Sequence, residues 1–138
     1  MYHFLMPHRI LIIEDDIPLY NLYAAELKFK GYDVSNVSDG LAAFNAVKTQ
    51  KPDIVLLDIV LPGRNGVDIL QDIKSDASTQ DIKVIMLTNY GGDANINKSI
   101  ELGADDYILK YNVVPSDISS KVSTILREDA SGGVALKE

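Results

Sequence analysis

The sequence predicts a doubly wound α/β fold, a five-stranded parallel sheet with helices on both faces. Two observations carry this. Short apolar runs recur along the chain, and they are continuous rather than alternating, as in strands covered on both sides. Amphipathic stripes at helical spacing separate them, and regular strand–helix alternation implies a parallel sheet.

The runs are Ile10-Leu11-Ile12-Ile13, Ile54-Val55-Leu56-Leu57, Val84-Ile85-Met86-Leu87 and Tyr107-Ile108-Leu109. A fifth segment, Asp33 to Val37, is more polar and reads as an edge strand. The first helix is marked by Leu19, Leu22, Tyr23 and Leu27, and the second by Leu41, Phe44 and Val47 behind a capping Asp39. Val67, Ile69, Leu70 and Ile73 mark the third. Ile96 and Ile100 form a thinner fourth stripe that ends at Gly103. Ile118, Val122, Ile125 and Leu126 form the fifth, opened by Pro115 and Ser116. Crossovers between parallel strands are right-handed. Five strands in a chain of this size suit the flavodoxin-like order 2-1-3-4-5.

The length, 138 residues, is that of one domain. Residues 1–8 are expected to be an N-terminal extension, 9–127 the domain, and 128–138 a flexible tail or linker around Ser131-Gly132-Gly133. After Arg127 too few residues remain for a DNA-binding helix pair or an enzyme domain. The expectation is therefore a stand-alone protein or a piece of a larger one.

Composition removes several function classes. There is no cysteine, which excludes disulfides, thiolate metal sites and cysteine nucleophiles. The only histidines are His3 and His8, expected to be surface residues, so a multi-histidine metal site is disfavoured. Thirteen Lys and Arg against twenty Asp and Glu give a formal charge of −7, which disfavours direct nucleic-acid binding. No apolar run is long enough for a membrane span or a secretory signal, and a cytoplasmic location is expected.

Ligands of such sheets bind beyond the carboxyl ends of the strands. The first strand ends in Glu14-Asp15-Asp16, the third in Asp58, the fourth in Thr88 and the fifth in Lys110. The edge strand, ending near Val37-Ser38, offers nothing comparable. In the predicted order the first and third strands are neighbours, which brings Glu14, Asp15 and Asp58 to one rim. Close carboxylates repel unless a cation intervenes, and an open all-oxygen site suits Mg²⁺. A lysine and a hydroxyl beside them describe a phosphoryl-transfer site, with Asp58 able to act as nucleophile. Each residue alone has a plainer reading. Acidic triplets are usually turns or helix caps, Thr88 suits a cap, and Lys110 suits a surface charge. Their joint arrival at consecutive strand ends favours the functional reading.

These residues resemble the receiver domain of two-component response regulators over about Arg9 to Arg127. The resemblance rests on Ile12-Ile13-Glu14-Asp15-Asp16, on Leu56 through Gly66 with its Leu61-Pro62-Gly63-Arg64-Asn65 segment, on Leu87-Thr88, on Gly103-Ala104-Asp105-Asp106-Tyr107, and on Lys110. It implies that Asp58 is the phosphoacceptor. It implies Mg²⁺ held by Asp15, by Glu14 through water, by Asp58 and by the backbone carbonyl of Val60. Thr88 and Lys110 would contact the phosphoryl group, and Tyr107 would be an aromatic switch coupled to Thr88. The implied donor is the phosphohistidine of a sensor histidine kinase or a histidine phosphotransfer protein. The switched surface would be the fourth helix, fifth strand and fifth helix, on a monomer or a weak phosphorylation-dependent dimer. The domain would be a phosphoacceptor rather than an enzyme, promoting only its own phosphorylation and slow dephosphorylation.

The sequence departs from the family pattern at Tyr111, where proline usually follows the lysine, at Asn89, where a small residue is usual, and at Asp16, read here as a cap. Val60 and Tyr90 flank the expected path of a hydrolytic water, and neither suits orienting it. Tyr90-Gly91-Gly92-Asp93 is read as a hinge and is far short of a phosphate-binding P-loop. Leu61-Pro62-Gly63 is a turn signal. Tyr20, Tyr23 and Tyr32 are expected to pack around the first helix.

Three rival readings fit less well. A flavin carrier would cradle phosphate in the loop after the first strand, where Glu14-Asp15-Asp16 repels it. A hydrolase resembling the haloacid dehalogenases needs an acid two residues after the nucleophile, and position 60 is valine. A receiver-like module that has lost phosphorylation would not keep Glu14, Asp15, Asp58, Thr88 and Lys110 together.

Overall fold

The structure, a computed structural model, describes residues 6–89 and 94–131. Strands β1 (Arg9–Ile13), β2 (Asp33–Val37), β3 (Ile54–Asp58), β4 (Lys83–Thr88) and β5 (Asp106–Leu109) alternate with helices α1 (Ile17–Phe29), α2 (Gly40–Gln50), α3 (Gly66–Ser75), α4 (Ala94–Leu102) and α5 (Pro115–Ser131). All ladders are parallel, and the order is β2-β1-β3-β4-β5, as the apolar runs predict.

Side chains of successive strand residues point to opposite faces, so each continuous run supplies two cores at once. Leu11, Ile13, Val55, Leu57, Val84 and Met86 meet Ala43, Val47, Leu70, Ile73 and Ile96 on the α2–α3–α4 side. Ile10, Ile12, Leu56, Ile85 and Leu87 meet Leu19, Leu27, Ile118 and Val122 on the α1–α5 side. The half-buried pattern of β2 is that of an edge strand. Asp16 caps α1 by accepting from the Leu19 amide, and Asp39 caps α2 by accepting from Leu41. Tyr23 is buried against the α1–α5 core, with Tyr20 and Tyr32 partly buried beside it.

Three stripe positions turn out differently. Leu22, Leu41 and Ile100 are exposed. On α4 the buried positions are Ile96 and Ser99, because the Ser99 hydroxyl donates to the carbonyl of Asn95 and so needs no water. Leu41 lies against Gly63 at the edge of the α2 start instead of entering the core. Leu22 joins Phe29 and Pro115 around a shallow surface groove. Helix α5 continues to Ser131, past the boundary drawn at Arg127. His3, the hinge expected at 90–93 and residues 132–138 of the expected tail lie outside the described residues. No described helix is long and apolar enough to cross a membrane.

Candidate functional site

The register of the sheet builds the site. Ile13 pairs with Leu57, so the next residues, Glu14 and Asp58, leave adjacent strands side by side. Asp58 pairs with Leu87, and Thr88 pairs with Leu109, one residue before Lys110. The four strand-end positions therefore meet on one rim.

Glu14, Asp58, Thr88 and Lys110 are all buried, while Asp15 is exposed. Carboxylate oxygens of Glu14, Asp15 and Asp58 lie within 4.8 Å of one another. Lys110 Nζ is 2.9 Å from Asp58 Oδ2 and 3.0 Å from Glu14 Oε1. The first contact is a well-directed hydrogen bond. The second has the closeness of an ion pair but not the direction of a hydrogen bond, which leaves Glu14 Oε1 buried without a directed donor. The other oxygen of Glu14 accepts from the Asp16 amide at 3.0 Å. Burial raises the Glu14 carboxyl to about 7, with Asp58 adding to the rise and the Asp16 amide and Lys110 opposing it. Burial works against the Lys110 ammonium, but its hydrogen bond to Asp58 and its ion pair with Glu14 prevail and hold its pKa above the ordinary lysine value.

The surroundings shape this cluster. The Asp58 carboxylate accepts from the Val60 amide at 3.2 Å, while the Val60 side chain is exposed. Gly63 takes φ +84°, the left-handed conformation a proline–glycine turn asks of its glycine. Gly66 opens α3 directly against the main chain of Asp58, and a β-carbon there would collide with the Asp58 carbonyl. Tyr107 is partly exposed on β5, and its amide bonds to the Asp106 carboxylate.

Several contributors escaped sequence reasoning. Asn36 on the edge strand donates to the carbonyls of Ile12 and Glu14, at 2.9 and 3.2 Å, and steadies the backbone that presents Glu14. Strand β2 therefore supports the site from within the strand, at a position the reading of strand ends did not weigh. The Tyr23 hydroxyl donates to the Lys110 carbonyl at 2.8 Å, and the Tyr111 hydroxyl to Asp16 Oδ2 at 3.1 Å. The peptide between Lys110 and Tyr111 is not cis.

Comparison with known proteins decides the family. The profile of the response regulator receiver domain matches residues 10–123. The chain belongs to this family. The receiver domain is 35% identical over 124 residues to the DNA-binding response regulator MtrA of Mycobacterium tuberculosis; the match takes in 90% of this chain and 53% of that protein, so the chain spans about half its length. The solved structure of a CheY-like receiver domain protein from Methanospirillum hungatei superposes with a TM-score of 0.85 at 29% identity, covering 93% of this chain and all of that one (100%). The receiver domain of a sensor histidine kinase from Pseudomonas aeruginosa, solved with magnesium coordinated in its active-site cleft, shares the fold. Its TM-score is 0.78 at 23% identity, over 86% of this chain and 97% of that one.

Proposed function

We propose that this receiver domain takes a phosphoryl group from a phosphohistidine onto Asp58 and relays the change to a protein-binding surface, in the cytoplasm. The observation that carries the reading is the buried Lys110 ammonium bridging Asp58 and Glu14, beside an exposed Asp15 whose carboxylate closes the cluster.

Three carboxylates face one ammonium, so the cluster carries excess negative charge. All donors are hard oxygens, and Glu14 Oε1 is buried without a directed donor. Such a set fits Mg²⁺. Asp15, Asp58 and the Val60 carbonyl would hold the ion, with Glu14 assisting through water. When bound, it offsets the charge that carboxylates present to an incoming phosphate.

The chain's own groups do the rest. An Asp58 carboxylate oxygen attacks phosphorus in line with the leaving imidazole nitrogen. The O–P bond forms, the P–N bond breaks, and the imidazole keeps the electron pair and takes a proton from solvent. Lys110 turns from the Asp58 carboxylate to a phosphoryl oxygen, and the Thr88 hydroxyl donates to another. Thr88 moving toward the phosphate would leave room for Tyr107 to turn inward. The cognate donor would be a sensor histidine kinase or a histidine phosphotransfer protein.

The regulated face would be α4, β5 and α5. Helix α4 buries only Ile96 and Ser99 among its described residues, a light anchor that suits a two-state element. Beryllofluoride should alter hydrogen exchange across residues 94–107 and the start of α5, and changes confined to α1 and α2 would contradict this.

The deciding experiment is reaction with acetyl phosphate and Mg²⁺, read by intact mass. One phosphoryl group should add, none in Asp58→Asn or with a chelator. A modification that survives Asp58→Asn overturns the assignment.

A further inference from the structure

We propose that Tyr23 is a positioning residue for Lys110. Its phenol holds the main chain of the lysine so that the ammonium reaches Asp58. The proposal rests on Asp58 being the phosphoacceptor and names a further residue that serves it.

Tyr23 lies in the middle of α1 and is 1% exposed, so its hydroxyl must find a partner inside the protein. The partner is the carbonyl of Lys110, at 2.8 Å and far away in sequence. That carbonyl needs a donor for a topological reason. Strand β5 is the outer strand of its side of the sheet and ends at Leu109, so no further ladder continues beside Lys110. The Lys110 amide still reaches the Thr88 carbonyl at 2.8 Å, which is the last bond on that side. Tyr23 supplies the other half. With both main-chain groups held, the side chain of Lys110 moves only through its own torsions. Its Nζ is delivered to Asp58 Oδ2 and Glu14 Oε1.

The next residue is tied to the same helix. Tyr111 donates to Asp16 Oδ2, and Asp16 is the N-cap of α1. Lys110 and Tyr111 are thus fastened to α1 by two phenols, one buried and one exposed. Helix α1 directly follows Glu14 and Asp15 in the chain. The lysine and two carboxylates of the cluster, Glu14 and Asp15, therefore share one support, and a shift of α1 would carry them together. This is how a residue with no contact to the reacting atoms would set the reach of the ammonium.

Tyr23→Phe keeps the ring in the core and removes only the hydroxyl. The rate of phosphorylation by acetyl phosphate at saturating Mg²⁺ should fall about fivefold, the scale of one lost hydrogen bond. In a Lys110→Ala background the same substitution should leave the residual rate unchanged, because the group it positions is gone. An unchanged rate in the otherwise native protein overturns the proposal. So does an equal loss in both backgrounds, which marks a merely structural role. A third measurement needs no phosphorylation: the ¹⁵N resonance of the Lys110 ammonium in the unmodified protein should shift in Tyr23→Phe, and an unmoved resonance also overturns it. Failure of Asp58 as acceptor would show separately, as absence of the added mass in the native protein.

Discussion

Lys110 Nζ stands 2.9 Å from Asp58 Oδ2, and each partner is the other's nearest compensation in a buried rim. Asp58 also accepts from the Val60 amide. The lysine is thus a structural counter-ion to the buried carboxylates.

Replacing it by an uncharged residue of similar length should expose that role. In Lys110→Met, Glu14 and Asp58 remain buried without the ammonium, and removing one partner of a buried pair typically costs about 3 kcal/mol. Urea unfolding at pH 8 with a chelator should show a loss of that order. Adding Asp58→Asn should restore part of it, since one unpaired charge is then gone. If the double variant is no more stable than Lys110→Met, the loss does not come from the unpaired carboxylate.

The raised Glu14 carboxyl sets a pH dependence. In the folded protein it keeps its proton up to about 7, while in the unfolded chain it loses it near the ordinary value of 4.5. The folded state therefore binds more protons across that window, and stability falls as pH rises through it. Below it the two states carry the same proton; above it the loss is complete, at most about 3 kcal/mol. Stability measured without Mg²⁺ from pH 4.5 to 8 should decline, and Glu14→Gln should flatten the decline. A Glu14→Gln profile with the native slope would assign the dependence to other groups.

Gly66→Ala should be costly although its backbone is not in the left-handed region. The added methyl group meets the Asp58 carbonyl, and main chain cannot step aside as a side chain can. The expected loss is about 3 kcal/mol, with slower phosphorylation because the acceptor's own backbone must shift. Thermal unfolding and the acetyl phosphate rate test both parts. An alanine variant with native stability and rate would show that α3 can retreat at no cost.

The lifetime of the phosphorylated state should depend on Val60. Its side chain is exposed and has no group to orient a water behind phosphorus. Val60→Asn supplies one, and its phosphoryl group should be lost about three to ten times faster, the scale of better-placed attack. Decay of the phosphorylated mass at constant Mg²⁺ gives the comparison. Equal decay would remove position 60 from control of the lifetime.

Much of the receiver fold was legible in order. Continuous apolar runs can be buried on both faces only in a covered parallel sheet, and alternation with helices restricts the topology to few choices. The strand-end residues followed from that topology, because a parallel sheet aligns all its carboxyl ends on one rim. What periodicity could not decide was which stripe residues stay outside. Ser99 enters the α4 contact while Ile100 does not, since a local hydrogen bond to the Asn95 carbonyl lets a hydroxyl be buried cheaply.

The sequence by itself determined the layered sheet, its helices and the set of charged and hydroxyl residues at the strand ends, because these depend on local pattern and on chain order. Only the tertiary structure decided how the set is held: Asn36 on the edge strand supporting Glu14, Tyr23 and Tyr111 tying the Lys110 loop to α1, and Gly66 lying against the Asp58 carbonyl. Those contacts join residues distant in the chain through single directed bonds or a single close approach. Such bonds leave no period in the sequence, and a tyrosine that packs reads the same as a tyrosine that also holds a carbonyl in place.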